Sequence, residues 1–290
     1  MSTQRAPTGI GFFDDRYGGV YAGRSWLVCG PSGAGKSAVG LQFLVQGVKQ
    51  GERCLLLSAQ PAADVAIWAA SFGPEIERSI ESGEFVVLEY NDYVPGRDKE
   101  TDLTLPPEGF LQLQEIIDTN AIKRVVLDTA LPWVMTRTAD MMAEHVFSFV
   151  RAFDRLRCTT MLTMPRPVSP VATRLKNALD EVVPVSVMLS IDSALSQRSW
   201  LTTKFLGEAR LDPATPYLVI PGHGAVAGRE TPPAPEPVPL PVQDAPPSTT
   251  PAPREVHPGK VRFSSVVLGN ENNAARAPNR SFRFGMTITK

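Results

Sequence analysis

Short apolar runs alternate with stretches of helical periodicity over about the first 220 residues of the chain. The apolar runs, which are rich in β-branched and other large side chains, predict strands at 25–29, 53–58, 85–90, 124–128, 159–163, 185–190, 200–205 and 217–220. The amphipathic stretches predict helices at 36–49, 62–71, 74–82, 107–119 and 140–157. This alternation predicts an α/β fold, in which a mainly parallel central sheet is flanked by helices and closed by antiparallel strands at its C-terminal side.

The pattern ends near residue 225, and the predicted organisation changes there. Proline dominates residues 226–258, a composition that cannot bury a core, so we interpret this segment as an extended linker. The basic tail at 259–290 contains two patches, 261–268 and 281–289, that could each form a strand. Because the tail is short for an independent domain, it could fold back on the main domain at 1–225, add a strand to a protein partner, or stay disordered until bound.

Composition and charge limit the classes of function. The chain has 290 residues, 43% of them hydrophobic, and a net charge of −1. Residues 1–225 carry 21 basic and 25 acidic side chains, whereas residues 226–290 carry 8 and 5. The main domain therefore lacks the excess of basic residues that is typical of proteins that bind nucleic acid, and we do not expect nucleic acid as a partner.

Apolar segments and cysteines indicate where the protein works. No apolar run approaches the roughly 20 residues that span a bilayer, and residues 1–8 lack a basic-then-apolar secretory signal. We therefore expect a cytoplasmic protein without a membrane span. Cys29, Cys54 and Cys158 lie in or beside apolar runs and have no metal-ligand spacing, which predicts buried, reduced thiols.

A complete phosphate-binding P-loop follows the first predicted strand. It consists of Gly30, Pro31, Ser32, Gly33, Ala34, Gly35, Lys36 and Ser37. Glycines in such a loop allow successive backbone N–H groups to converge on a polyphosphate at the N-terminus of the following helix. We expect Lys36 to hold the β and γ phosphates and the Ser37 hydroxyl to bind Mg²⁺.

The predicted strand at 124–128 supplies a second candidate for metal binding. It is apolar and ends in a carboxylate, Asp128. At the tip of a strand beside a P-loop, this carboxylate would bind Mg²⁺ through water, next to Ser37. A buried strand can also end in aspartate to cap a turn or a helix, which is the structural alternative.

Beyond these motifs, the chain resembles the KaiC branch of the RecA-like ATPases over roughly residues 8–221. Besides the P-loop, the matching segments, in family order, are 8–10, 13–15, 18–19, 41–43, 51–53, 70–73, 83–87, 125–129 and 202–207. The resemblance implies a RecA-like core, ATP bound at the interfaces between subunits, and assembly into rings, which are commonly hexameric.

Two departures from the pattern of this family concern catalysis. After the second strand, such proteins usually carry paired glutamates, one of which activates the attacking water, but residues 57–61 read Leu-Ser-Ala-Gln-Pro. Gln60 could orient a water molecule, but it cannot accept a proton as a general base. We therefore treat Gln60 as a candidate catalytic residue that would support only slow hydrolysis.

The second departure concerns the Lys-x-Arg pair through which one subunit of the family reaches the γ phosphate of its neighbour. Lys204 occupies the lysine position and is the second candidate catalytic residue, whereas Leu206 stands in place of the arginine. An arginine finger is worth roughly 10³ to 10⁵ in rate. A shifted register, in which Asp64, Arg198 or Arg210 substitutes for a missing residue, is the alternative.

Three functions are compatible with these observations. The leading hypothesis is a homo-oligomeric assembly or regulatory switch with slow or absent hydrolysis, in which ATP controls the oligomeric state or the exposure of the tail, where a protein partner could bind. The second is an active oligomeric ATPase of the motor or timing type. The third is a recombinase-like protein that binds DNA through Arg166, Arg174 and Lys176, although a ring-lining or interface loop explains these three basic residues better.

Overall fold

The sheet predicted from the sequence lies at the centre of the computed structural model, which describes residues 4–89, 107–134, 142–192 and 197–228. The strands of these ranges are β1 (Arg5–Ala6), β2 (Val20–Tyr21), β3 (Ser25–Gly30), β4 (Arg53–Ser58), β5 (Phe85–Glu89), β6 (Ile122–Asp128), β7 (Thr159–Pro165), β8 (Val185–Asp192), β9 (Gln197–Phe205), β10 (Thr215–Ile220) and β11 (Gly224–Ala227). The helices are α1 (Gly11–Tyr17), α2 (Lys36–Lys49), α3 (Ala62–Ala70), α4 (Pro74–Glu81), α5 (Pro107–Thr119), α6 (Leu131–Val134), α7 (Met142–Arg155) and α8 (Pro170–Val182).

Nine of the described strands form one sheet in the order β11-β10-β9-β8-β3-β7-β6-β4-β5. The six strands from β8 to β5 are parallel to their neighbours, whereas β9, β10 and β11 are antiparallel. β1 and β2 form a separate antiparallel pair. The prediction of an α/β fold with a mainly parallel sheet and antiparallel strands at its C-terminal side is confirmed.

Helices cover both faces of the parallel part of the sheet. Side chains of α1, α2, α3 and α4 pack on one face, together with Leu56 and Val126 of the strands. Those of α5, α7 and α8 pack on the other face, together with Leu57 and Leu127. Because successive side chains of a strand point to opposite faces, strands buried on both sides are almost continuously apolar, as these are.

Helix α8 is absent from the elements predicted above. The Oγ atom of Ser169 accepts a hydrogen bond of 3.2 Å from the N–H of Ala172, and Pro170 occupies the first turn. Both are start signals of a helix, because Ser satisfies a free N–H group and Pro needs no N–H partner there. Pro170 therefore marks the beginning of a helix that carries Arg174 and Lys176, and Lys176 forms an ion pair with Asp180.

Three further expectations concern the C-terminal segments, membrane spans and cysteines. β11 continues to Ala227, while the predicted tail and nearly all of the linker lie outside the described residues. No helix in the described ranges is long and apolar enough to cross a bilayer. The three cysteines are buried and free, as predicted.

Candidate nucleotide-binding site

The P-loop forms the turn between β3 and α2. Gly33 and Gly35 have φ angles of 77° and 95°, which are left-handed conformations that favour glycine. A Cβ atom on Gly35 would lie 2.7 Å from Cγ2 of Val219, which leaves no room for a side chain. Glycine is therefore required here both by the backbone conformation and by the close approach of β10.

Lys36 closes this loop. Its Nζ atom donates hydrogen bonds to the carbonyl oxygens of Gly30 and Pro31, both at 2.9 Å. Burial lowers the pKa of Lys36 below its ordinary value, and the nearby negative charge of Asp128 opposes this shift. The ammonium group thus lies between the P-loop and the end of β6, where it can neutralise an anionic ligand.

Ser37 and Asp128 supply the oxygen atoms that a Mg²⁺ ion would need. Ser37 is half-buried in the first turn of α2, and its hydroxyl has no hydrogen-bond partner among the described residues. Asp128 ends β6, and its Oδ1 atom accepts a hydrogen bond of 2.6 Å from Oγ1 of Thr163. A hydroxyl and a carboxylate beside a phosphate site are hard oxygen ligands that fit Mg²⁺.

Residues 58–60 lie at the carboxyl end of β4, the strand beside β6. Ser58 pairs with Asp128 in the sheet and is 2% exposed, and its Oγ atom accepts a hydrogen bond of 3.0 Å from the N–H of Gln60. The side chain of Gln60 is exposed and has no hydrogen-bond partner among the described residues. The other strand-end carboxylate beside Ser58 is Glu89 of β5, whose Oε2 atom accepts a hydrogen bond of 3.2 Å from the N–H of Ala62 at the start of α3.

Lys204 lies away from the P-loop of its own chain. It pairs with Ser186 near the amino-terminal end of β8, whereas the P-loop follows the carboxyl end of β3, which is parallel to β8. Its Nζ atom donates hydrogen bonds to the carbonyl oxygens of Asp180 and Glu181 in the last turn of α8. Lys204 therefore caps a helix in its own chain, and the neighbouring Leu206 is 55% exposed.

Of the three residues in the shifted-register alternative, Arg198 lies beside the P-loop. Its Nε atom donates a hydrogen bond of 3.1 Å to the carbonyl oxygen of Gly33. Tyr217 of β10 donates its hydroxyl to the carbonyl oxygen of Ala34, and burial raises the pKa of this tyrosine. Both side chains support the loop from the antiparallel strands of the same chain, whereas Asp64 and Arg210 are exposed residues elsewhere.

The three basic residues after β7 do not converge. The backbone N–H of Arg166 donates a hydrogen bond of 2.9 Å to the carbonyl oxygen of Gly30, while its side chain is exposed. Arg174 is exposed on α8, and Lys176 is neutralised by Asp180. Of these three residues, Arg166 and Arg174 therefore present exposed charges, whereas Lys176 is paired.

Comparison with known proteins agrees with this architecture. A family model described as "ATPase: KaiC" matches residues 6–200 of the chain. The chain belongs to the KaiC ATPase family. Its core is therefore a RecA-like P-loop ATPase domain, as the resemblance of the sequence implied.

Relatives in the KaiC family are longer than this chain. It is 28% identical over 171 residues to "Circadian clock oscillator protein KaiC" of Prochlorococcus marinus (strain MIT 9313), covering 57% of this chain and 34% of the relative. It is 33% identical over 132 residues to "Circadian clock protein KaiC2" of Synechocystis sp. (strain ATCC 27184 / PCC 6803 / Kazusa), covering 44% and 23%. The chain thus spans about a third or less of the length of these relatives.

Sequence reasoning named the P-loop and Asp128 of this KaiC-family site, named Arg198 only as a substitute for a missing residue, and missed Thr163 and Tyr217. Thr163, Arg198 and Tyr217 support the site through contacts between strands that are far apart in the chain. The one available signal was positional, because Thr163 is a polar residue near the carboxyl end of its strand, where ligands of parallel sheets bind. Arg198 and Tyr217 carry no such signal.

Proposed function

We propose that this protein binds Mg·ATP between the subunits of a homo-oligomer and acts as a nucleotide-dependent assembly or regulatory switch with slow or absent hydrolysis. The observation that carries the proposal is the contrast between two parts of one site. The P-loop is complete and closed by Lys36, whereas no carboxylate stands at residues 58–60 beside Asp128. Binding and hydrolysis need different groups, so the first can persist when the second is lost.

In this proposal, residues Gly30 to Ser37 hold the nucleotide. The N–H groups of the loop and the N-terminus of α2 surround the phosphates, and Lys36 neutralises their charge. The Ser37 hydroxyl and the Asp128 carboxylate, the latter through water, hold Mg²⁺. The cation supplies charge neutralisation and a fixed geometry for the β and γ phosphates.

Slow hydrolysis follows from what the groups near the γ phosphate can do. A general base typically contributes about 10² to 10⁴ in rate, and Gln60 cannot take this role because an amide does not accept a proton at neutral pH. Glu89 is one strand further from the P-loop and already caps the start of α3. The site can therefore orient a water molecule through Gln60, but it has no nearby carboxylate to deprotonate it.

The position of Lys204 supports nucleotide binding between subunits. It lies near the amino-terminal end of β8, whereas the P-loop of its own chain follows the carboxyl end of β3. It could therefore reach only a nucleotide held by a neighbouring subunit. Its ammonium group also serves as the cap of α8, and Leu206 offers no second positive charge. Stabilisation of the transition state from the neighbouring subunit would therefore be weak.

A switch needs binding energy rather than turnover. ATP that binds the assembled state more tightly than the separate subunits stabilises the assembly by its differential affinity. The test is the mass of the full-length protein in solution, measured by light scattering with and without Mg·ATP, with Lys36→Ala as the matched control. We expect an oligomer that forms or grows with Mg·ATP in the wild type alone, whereas a monomer under every condition would contradict the proposal.

One observation favours the second candidate, an active ATPase. Gln60 is exposed beside the strand that carries Asp128, and its side chain is free to orient water. That candidate predicts steady-state ATP hydrolysis of about 10 s⁻¹, the median for enzymes. It also predicts that Gln60→Ala abolishes this hydrolysis, whereas the switch predicts little turnover in either protein.

A further inference from the structure

The strand between the P-loop strand and the strand of Asp128 carries a buried threonine that contacts the candidate metal site. β7 pairs with β3 on one side and with β6 on the other. Thr163 of β7 pairs with Val28 of β3 and has no exposed surface. Thr163 thus lies between the strand that precedes the P-loop and the strand that ends in Asp128, the two halves of the candidate site.

Three hydrogen bonds join Thr163 to the end of β6. Its Oγ1 atom donates a hydrogen bond of 2.6 Å to Oδ1 of Asp128. Its carbonyl oxygen accepts hydrogen bonds of 2.9 Å from Oγ1 of Thr129 and of 2.9 Å from the N–H of Ala130. The carbonyl oxygen of Thr163 therefore holds residues 129 and 130, which follow Asp128, while its hydroxyl holds the carboxylate of Asp128 itself.

We propose that Thr163 is a positioning residue for the divalent cation of the bound nucleotide. Its hydroxyl holds Oδ1 of Asp128, so that Oδ2 faces the water molecules of the cation. This inference rests on the proposed function, since it requires that Asp128 takes part in binding Mg²⁺. Thr163 itself touches neither the nucleotide nor the metal.

The chemistry of a threonine hydroxyl explains this role. The hydroxyl has a single hydrogen, and it is donated to Oδ1 of Asp128, which fixes the orientation of this carboxylate. Oδ2 of Asp128 has no hydrogen-bond partner within the described ranges, so it is free to accept from a metal-bound water. Carboxylates that bind metals are usually oriented by such a hydrogen bond, and its loss typically costs about 10- to 100-fold in metal affinity or activity.

β7 also fixes the P-loop, which couples the two halves of the site. Three residues after Thr163, the N–H of Arg166 donates a hydrogen bond of 2.9 Å to the carbonyl oxygen of Gly30, the first residue of the loop. The same short segment thus holds the start of the P-loop and the carboxylate of Asp128. A fixed distance between them would favour Mg·ATP over ATP without the metal.

The experiment measures how the affinity for a fluorescent ATP analogue depends on Mg²⁺ concentration. The Mg²⁺ midpoint is the concentration that gives half of the maximal increase in affinity for the analogue. We expect Thr163→Val to raise this midpoint by about 10- to 100-fold. Affinity for the analogue in excess EDTA should stay unchanged. Thr163→Ser, which keeps the hydroxyl, should restore the wild-type midpoint. Thr163→Ala removes the same hydroxyl without a second methyl group beside Asp128 and carries the same expectation if Thr163→Val does not fold.

Two further variants separate positioning from a merely structural effect. Thr160 lies in the same strand, is equally buried and points to the opposite face, and Thr160→Val should leave the Mg²⁺ midpoint unchanged. In an Asp128→Asn background, Thr163→Val should cause no further shift, because the residue acts through that carboxylate.

Each other result has a defined meaning. If the wild type responds to Mg²⁺ and Thr163→Val has the same Mg²⁺ midpoint, the positioning role is overturned. An equal loss of affinity with and without Mg²⁺ overturns it as well, since the threonine would then act on the loop as a whole. A wild type that binds the analogue equally well in EDTA contradicts the proposed function itself, and this outcome is visible without any variant.

Discussion

Replacing Arg124 with alanine tests how the elements of the nucleotide site are held together. Arg124 lies on β6, is 1% exposed, and forms an ion pair from Nε to Glu52. Its two terminal nitrogens donate hydrogen bonds of 2.6 Å to the carbonyl oxygen of Pro7, 3.0 Å to that of Phe43, and 2.6 Å to Oε1 of Gln50. This guanidinium therefore joins the strand of Asp128 to the helix of the P-loop and to the N-terminal segment.

The cost of the substitution follows from these contacts. Breaking a buried ion pair by removing one partner typically costs about 3 to 5 kcal/mol, because the other charge is left without compensation. Glu52 is 34% exposed, so water can solvate part of its charge and reduce this cost. The buried carbonyl oxygen of Phe43 would lose a partner at a cost of about 1 to 3 kcal/mol. With the cost of the broken ion pair reduced to about 2 kcal/mol by this solvation, we expect Arg124→Ala to lower the free energy of unfolding by about 3 to 5 kcal/mol in total.

Thermal unfolding followed by circular dichroism measures this effect. For a domain of this size, each kcal/mol lowers the Tm by about 2 to 4 °C, so Arg124→Ala should lower it by roughly 10 °C. The matched control is Arg53→Ala, in which an exposed arginine loses one hydrogen bond of 3.3 Å to the carbonyl oxygen of Asn120. The control should change stability by no more than about 0.5 kcal/mol.

Equal melting temperatures for Arg124→Ala and Arg53→Ala would refute the reasoning, since the buried network would then have no net effect. Arg124→Lys provides a second check on the geometry. A lysine at this position keeps the charge but cannot donate in the directions of all four partners. It should therefore recover only part of the lost stability.

Three further predictions concern the site and the pH dependence of stability. Gly35→Ala should abolish ATP binding in a fluorescence titration, because the new Cβ atom would lie 2.7 Å from Cγ2 of Val219. Gly51 also has a left-handed φ angle, of 74°, but nothing lies within 4 Å of its Cβ position, so the Gly51→Ala protein should bind ATP normally. Burial raises the pKa of Cys29 and Cys158 to about 11 and that of Cys54 to about 12. Because the folded state favours the neutral thiols, their contribution to stability should be complete below pH 9, the ordinary thiol pKa, and should be lost as the pH rises toward 11 to 12. Urea unfolding at a series of pH values measures this loss. Lys204→Met should lower the free energy of unfolding by about 1 kcal/mol through loss of the cap of α8, as measured by urea unfolding.

The α/β architecture was predictable because its strands are buried on both faces. A run such as Val125–Val126–Leu127 is apolar without interruption, and its period and length distinguish it from the amphipathic helices on either side. Helix α8 was missed although Ser169 and Pro170 are start signals and its polar exposed face gives it a helical period, because its basic residues were interpreted as part of a loop. Helix α1 was missed because it begins at a glycine and is held at its start by the carboxylate of Asp14, which accepts from the N–H groups of Thr8 and Gly9.

The candidate site was predictable only where its residues are adjacent in the chain. The P-loop is one continuous segment, and Asp128 ends an apolar strand, so both can be recognised without a structure. Thr163, by contrast, meets Asp128 across 35 positions, and Arg198 meets Gly33 across 165. Nothing local to a threonine or an arginine indicates which distant strand will lie beside it, because that depends on the order of strands in the sheet.

The capacity for hydrolysis is the point at which sequence and structure together are most informative. Residues 57–61 alone show only that a carboxylate is missing. The structure adds that Ser58 pairs with both Asp128 and Glu89, and that Glu89 is already engaged at the start of α3. No acidic side chain at the described ends of β4 and β6, other than Asp128, is therefore available to activate water.

The fate of a single bound ATP tests the central claim most directly. Radiolabelled ATP would be bound to an excess of the full-length protein with Mg²⁺, and the remaining ATP would be quantified over time after quenching with acid. A median enzyme turns over at about 10 s⁻¹. Loss of the arginine alone would reduce this by about 10³ to 10⁵, to between about 10⁻² and 10⁻⁴ s⁻¹. The account predicts that bound ATP persists for minutes to hours, whereas its conversion to ADP within about a second would contradict it.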